Sequence, residues 1–423
     1  MLRPGLLCRW GFLAFLAFTS WEGSLPLPAE AAITSRGTEF WLAFPQGAGN
    51  TSQPATLQVL IASTTDNAGQ VQVPGIGFSV PFTIAAGGTT QILLPAGAED
   101  KFSDAVSTLG IHVTAVSQVS VYGLNNVQYA SDGYLGLPVE ALGTNYMVCS
   151  YRNETYQGSS LISSEFTVVG IQDCTNVTIT PRLSVGSHAG GVPYSVTLNQ
   201  GDVYQLQDPT VPNDLTGSTL SSDKPVAVYG AHECDNVPDG VPSCNHLVEE
   251  LWPLPYWGTQ FLTMPLATRN GGDTVRFVAA SNSTTLTVNG TTLSNVLQKG
   301  WALDQNESVP LYITSNHPIY VMQFSDGGCQ DNACTVVSTY NADPSMMSIP
   351  PINEYGTAYI VAAMPVTGFT GNYENLTTSN PGSVTLDGSP IAAGFYSLIA
   401  GGPYYGVQVS VTSGTHILQS STP

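Results

Sequence analysis

"GTQFLTMP" (residues 258–265) opens on Gly-Thr, sets an aromatic two positions later and then runs apolar. "GTEFWLAF" at 37, "GTNYMVCS" at 143 and "GTAYIVAA" at 356 follow the same pattern, about a hundred residues apart. A feature that returns at such a period marks tandem copies of one unit. That reading decides the fold.

The openers have company. Pro-x-x-x-x-Gly-Thr leads into the last three, as "PVEALGT" from Pro138, "PLPYWGT" from Pro253 and "PINEYGT" from Pro351. Before each lies a segment rich in β-branched and aromatic residues: "SQVSVYG" (117–123), "KPVAVYG" (224–230) and "HPIYVMQ" (317–323). Between opener and closer, segments such as "TVRFVAASNSTTLTVNG" alternate apolar and polar residues around Asn, Ser and Gly turns. This is the pattern of β-hairpins with one buried face. About six or seven short strands in about 100 residues suit a β-sandwich, and the period is too long for a propeller blade of about 40–45 residues.

The expected fold is therefore all-β, a tandem array of sandwich-like units at 33–142, 143–257, 258–355 and 356–423. The last unit reads as incomplete. Its "SSTP" aligns with "SDKP" and "SNHP", after which the other units continue into a core strand. Residues near Phe395, Leu398 and Val409 should accordingly pack loosely.

Composition agrees with this class. Only 9% of the 423 residues are charged, against roughly 25% in an ordinary globular chain. Gly (43) and Pro (29) supply turns, and a 42% hydrophobic fraction supplies cores. The net charge of −20 argues against nucleic acid or an anionic membrane as partner, since both need a basic footprint.

Residues 1–32 read as a secretory signal peptide. Arg3 and Arg9 precede the short apolar run "WGFLAFLAF", and small residues follow at "AEAA". No other segment approaches the roughly 20 apolar residues of a membrane-spanning helix. The mature protein is expected to be secreted and extracellular, with no membrane span.

Cys8 leaves with the signal peptide, and in an oxidising compartment the six remaining cysteines suggest three disulfides. Cys234 and Cys244 enclose one loop, and Cys329 and Cys334 enclose a loop at the same repeat position, which leaves Cys149 with Cys174. A zinc site built from His232, Cys234, Cys244 and His246 is the alternative for the first loop. No cofactor is otherwise indicated.

Motifs for catalysis are missing: there is no GxSxG, P-loop, HExxH or GxGxxG. Glu249 and Glu250 are adjacent and would face opposite ways in a strand, which suits a solvated turn better than acid/base work. Recognition on rigid β scaffolds usually lives in loops. Here the closer-to-opener connections 123–137, 230–252 and 324–350 hold Tyr129, Asp132, Tyr134, Glu233, Asp235, Asp239, Asp326 and Asp331 as candidate binding residues. Seven Asn-x-Ser/Thr sequons, Asn153 among them, would mark exposed turns in a glycosylated chain.

"GTEFWLAFP", the "VYG-x-x-x-C" strand end, "CNHLVEELWPLPYWGTQF" and "VTLDG...GTHIL" together resemble the N-terminal domain of the IgG-Fc-binding protein family. The resemblance covers nearly all of the mature chain, and the block from Cys244 to Phe261 carries most of its specificity. It implies an exported, non-catalytic binding or adhesion module with an extracellular protein or glycan partner, mucin or immunoglobulin among the candidates. The family pattern usually continues past residue 423. A secreted hydrolase on a β-sandwich and a structural spacer of a larger surface protein are the rival readings. Two acids converging from different units in a pocket would favour the hydrolase.

Overall fold

The computed structural model describes residues 35–48, 55–127, 130–154, 163–331, 342–363 and 371–422. The signal peptide at 1–32, Tyr129 and Cys334 lie outside them. All regular structure within them is strand, apart from single 3-10 turns.

The first unit contains β1 (Gly37–Leu42), β2 (Thr56–Ala62), β3 (Asn67–Val73), β4 (Phe78–Ile84), β5 (Thr89–Leu93), β6 (Ala105–Ser107), β7 (Ile111–Asn126) and β8 (Asp132–Gly136). The second contains β9 (Gly143–Met147), β10 (Ser164–Gly170), β11 (Thr175–Thr180), β12 (Tyr194–Leu198), β13 (Val203–Asp208), β14 (Thr219–Asp235) and β15 (Asn245–Glu250). The third contains β16 (Gly258–Thr263), β17 (Asp273–Ala279), β18 (Thr284–Val288), β19 (Thr291–Leu297), β20 (Ala302–Glu307), β21 (Leu311–Ser325) and β22 (Ser345–Ile349).

The three share one topology. In the first, strands run β4-β3-β7-β2-β5, with β1 and β8 also on β7. The second runs β12-β11-β14-β10-β13 and the third β19-β18-β21-β17-β20, each with its opener and its last strand on the long strand. One half of the long strand serves one sheet of the sandwich and the other half serves the second.

The long strand bends where it changes sheets, and the registers locate the bend. Gly143 faces Val226 while Asn145 faces Ser221; Gly258 faces Ile319 while Gln260 faces Thr314. Residues 222–225 and 315–318 are skipped, and each stretch ends in a proline that has no N–H for the ladder. The Ser222 and Ser315 hydroxyls close the two excursions by donating to Lys224 O and His317 O, both at 2.6 Å.

The recurring Gly-Thr has a packing cause. A Cβ on Gly37, Gly143 or Gly258 would stand 2.3, 2.7 or 2.3 Å from the Cβ of Pro138, Pro253 or Pro351. Each unit's first glycine therefore seats the proline that closes the same unit. The proline and the glycine of one motif copy thus belong to successive contacts of the same kind.

Neighbouring units share cores. Val169, Ala227, Tyr229 and Val248 pack with Phe40, Trp41 and Tyr134 of the first unit. Tyr320, Met322 and Phe324 pack with Tyr151, Phe166 and Leu247 of the second. The short β6 pairs with β13 across the boundary.

The fourth unit contains β23 (Ala358–Ala363), β24 (Asn372–Thr378), β25 (Val384–Leu386), β26 (Ser389–Pro390), β27 (Ser397–Leu398), β28 (Tyr405–Val411) and β29 (Gly414–Ser420). Its two sheets are separate, β23-β29-β25-β26 and β24-β28-β27. Phe395 and Leu398 are exposed at 73% and 62%, and Val409 is half-buried.

Candidate functional site

The last strands of three units meet at one junction. β8, β15 and β22 each leave a long strand and run toward the next opener, and the side chains of one tie the backbones of the others. Asp132 on β8 is buried. Its carboxyl accepts the N–H groups of Gly133 at 2.8 Å, Val248 at 3.1 Å and Met346 at 3.1 Å. One side chain thus holds backbone from all three units.

Glu249 and Glu250 do the same from β15. Ser348 N–H of the third unit donates to Glu249 at 3.1 Å, and Leu137 N–H of the first donates to Glu250 at 2.9 Å. Tyr229 also donates to Glu250, at 3.0 Å. Adjacent strand residues face opposite ways, so the pair reaches opposite neighbours. The expected solvated turn is corrected: both residues are buried, because β15 lies between β8 and β22. Asn245 completes the junction by donating to Ser131 O at 2.8 Å and Pro344 O at 2.5 Å.

Burial pushes the Asp132 and Glu249 carboxyls up to about 8 against their backbone hydrogen bonds. It also drives His232 down to about 3 and His246 down to about 4. The carboxyl contributions are complete below about pH 4 and are lost as pH rises through 8. The histidine contributions are present above 6.5 and are lost as pH falls. Between pH 6.5 and 8 only the carboxyls act, so stability should fall with rising pH by about 2–3 kcal/mol. Urea midpoints at the two pH values measure this, and a midpoint that rises with pH contradicts it.

Most of the candidate loop residues prove to be internal. Tyr134 donates to Ala43 O at 2.8 Å and meets the Tyr229 ring edge-on at 5.0 Å. Glu233 accepts from Gln46 Nε2 at 2.8 Å, and Asp235 lies 3.3 Å from His232 Nε2. Asp239 pairs with Arg152. Asp326 accepts Thr274 N–H at 2.9 Å. Asp331 accepts Asn270 and Gly271 N–H, both at 2.7 Å, and pairs with Arg269 at 2.6 Å. Asp132, Tyr134, Glu233, Asp235 and Asp326 are buried, and Asp239 and Asp331 are half-buried. The picture of open acidic loops is corrected. Asp326 and Asp331 accept backbone N–H groups of their own unit, Asp239 and Asp331 pair with arginines, and only Asp132 and Glu233 reach across to another unit.

The cysteines divide. Cys234 and Cys244 form a disulfide, and Cys174 and Cys329 are also disulfide-bonded. Cys149 is a free, buried thiol, so the Cys149–Cys174 pairing is corrected. Met147 faces Thr219 on β14, whereas Val177 faces Ser222 on its other side. Running on in opposite directions, Cys149 and Cys174 end about eight residues apart along β14. That is about 26 Å, and a disulfide needs Cα atoms within about 7 Å.

The zinc alternative fails on the same chemistry. The Cys234 and Cys244 sulfurs are bonded to each other, His232 Nε2 faces Asn153 Oδ1 at 2.9 Å, and His246 Nδ1 faces His232 O at 3.0 Å. Asn153 is buried and donates to Asp208 O and Thr210 O, so that sequon is no exposed turn.

Sequence reading missed Arg276. It lies on β17 and is 2% exposed. Nη1 donates to Ser150 O at 2.5 Å and to Asp214 at 2.9 Å, in the second unit. Nε and Nη2 grip both oxygens of Asp304 at 2.7 and 2.8 Å. The guanidinium also stacks over Tyr151, 4.3 Å from the ring centroid. A lone Arg inside "TVRFVAA", in a chain with only ten basic residues, was the available signal.

As a whole the site is a buried, hydrogen-bonded junction between units. Asp132 and Glu249 do converge from different units, but backbone N–H groups occupy both carboxyls and neither is open to solvent. Among the described residues, no helix is long and apolar enough to cross a membrane.

A family model described as IgGFc binding protein matches residues 132–423. The human "IgGFc-binding protein" is 30% identical over 375 residues, covering 85% of this chain. The chain spans 6% of that relative's length. A solved structure titled "Structural insight into host cell surface retention of a 1.5-MDa bacterial ice-binding adhesin" is 10% identical and covers 70% of this chain and 90% of its own. Its TM-score of 0.11 carries no argument.

Proposed function

This chain belongs to the IgGFc binding protein family, and on that premise we propose that it is an exported, non-catalytic scaffold that binds an extracellular protein or glycoprotein. The family match over residues 132–423 carries the proposal. The buried junction supports it, because the convergent acids a hydrolase would need are engaged by backbone. The unit divisions at 33–142, 143–257, 258–355 and 356–423 and the signal peptide at 1–32 are part of the same reading. Recognition then falls to the described parts of connections 230–252 and 324–350 that are left partly open, with Asp239 and Asp331 as the candidate acids. Glycan recognition there belongs to the proposal too.

Immunoglobulin Fc, named by the human relative, is the first ligand to test, with mucin the second. Immobilised protein should bind Fc or mucin saturably, at about micromolar affinity or tighter, with or without EDTA. Failure against Fc, whole IgG, mucin and a glycan array would overturn the proposal. It would leave the spacer reading, which the shared cores between units favour.

A further inference from the structure

We infer that Asn176 and Asn282 are sites of N-glycosylation, each carrying an oligosaccharide on Nδ2, while the sequons at Asn153, Asn289, Asn306 and Asn375 stay bare. Asn50 lies outside the described residues. The inference rests on the export reading above, because the sugar donor, a lipid-linked oligosaccharide diphosphate, belongs to the secretory route.

The chemistry asks for an uncommitted amide nitrogen. In the transfer, Nδ2 forms a bond to C1 of the first sugar and gives up one proton. The bond from C1 to the diphosphate oxygen breaks, and the lipid diphosphate leaves with that electron pair. A bulky polar group then stands on the nitrogen and has to lie in solvent. Transfer precedes folding, so the fold decides which modified nitrogens the finished protein can hold.

Four sequons fail that requirement. Asn153 is buried, and its Nδ2 donates to Asp208 O at 2.6 Å and Thr210 O at 3.0 Å. Asn289 Nδ2 donates to Pro310 O at 3.2 Å while its Oδ1 accepts Tyr312 N–H at 2.8 Å. Asn306 Nδ2 donates to Asp326 at 2.5 Å, and Asn375 Nδ2 donates to Pro265 O at 3.1 Å. Each amide ties its segment to a neighbouring one, and a sugar there would strand the acceptor.

Asn176 and Asn282 differ. Both are exposed, and among the described residues nothing accepts from either Nδ2. Their other groups serve the turn: Asn176 N–H donates to Asp223 at 2.8 Å, and Asn282 Oδ1 accepts Lys299 N–H at 3.0 Å. The two occupy one turn of the repeat. Val177 faces Ser222 and Leu286 faces Ser315, the serines that close the two bends. Asn282 therefore stands where the second unit has Asp173, whose carboxyl likewise accepts Gln200 N–H at 3.1 Å.

This turn lies at a defined end of each unit. β10 runs from Ser164, opposite His232, to Gly170, opposite Val226. β17 runs from Asp273, opposite Ser325, to Ala279, opposite Ile319. A strand of this length spans about 20 Å, so the sugars leave from the end opposite connections 230–252 and 324–350.

The chain from residue 33 onward, secreted behind an established leader by cells that make the lipid-linked donor, decides the proposal. Enzymatic glycan release in heavy-oxygen water converts each modified Asn to labelled Asp, which peptide mapping locates. Label is expected at Asn176 and Asn282 and at none of the other four. Asn176→Gln and Asn282→Asp should each remove one glycan, read as one step of gel mobility, with secretion unchanged. Asp at 282 keeps the acceptor oxygen that the turn uses at Asp173. A secreted chain lacking label at either position overturns the proposal, as does label at Asn153, Asn289, Asn306 or Asn375. The same chain with its own residues 1–32 tests export separately: if only that sample stays inside the cell, the export reading is what falls.

Discussion

Replacing Arg276 with Met should cost about 3–5 kcal/mol, the range for removing one partner of a buried ion pair. The guanidinium bridges Asp214 of the second unit and Asp304 of the third, and it satisfies Ser150 O. Without it two carboxylates remain close together, one of them 12% and the other 32% exposed. Met fills the space over Tyr151 but answers neither charge. Lys should rescue little, because a point charge cannot span both carboxylates and the carbonyl. Denaturant unfolding measures the loss, and Asp304→Asn in the Met background should recover part of it. A change within about 0.5 kcal/mol, the ordinary spread for surface positions, would sink the idea that this arginine locks the two units.

Asp132→Ala should cost about 2–5 kcal/mol. Three N–H groups lose their acceptor, and each stranded buried donor costs about 1–3 kcal/mol before local relaxation. The effect should be cooperative across units: amide exchange at Val248 and Met346, both far away in sequence, should accelerate along with that at Gly133. Asp132→Asn keeps one oxygen and should fall between Ala and the native chain. Faster exchange at Gly133 alone would show that the first unit holds its own connector and that the junction is not shared.

Strand type was legible because it is local. Alternation marks a half-buried strand, and each opener glycine marks a close approach by a proline. Three of the sheets have matching strand orders. The roles of the candidate loop residues were not legible. In sequence, Asp132 or Glu249 looks like any acid in a polar connection, and connections usually face water.

The sequence by itself determined an all-β chain, because hydrophobic period and turn residues act over a few positions. Membership of the family followed from the block around Cys244–Phe261. Only the tertiary structure decided that the units interlock. β15 lies between β8 and β22, so carboxyls that would be solvated on one unit become acceptors for the backbone of two others. It also decided the state of Cys149, whose place relative to Cys174 depends on how β9 and β11 flank β14. The physical reason is the same in both cases. Burial and partnership are set by contacts between residues tens to hundreds of positions apart, and no local pattern encodes which distant N–H a given carboxyl will meet.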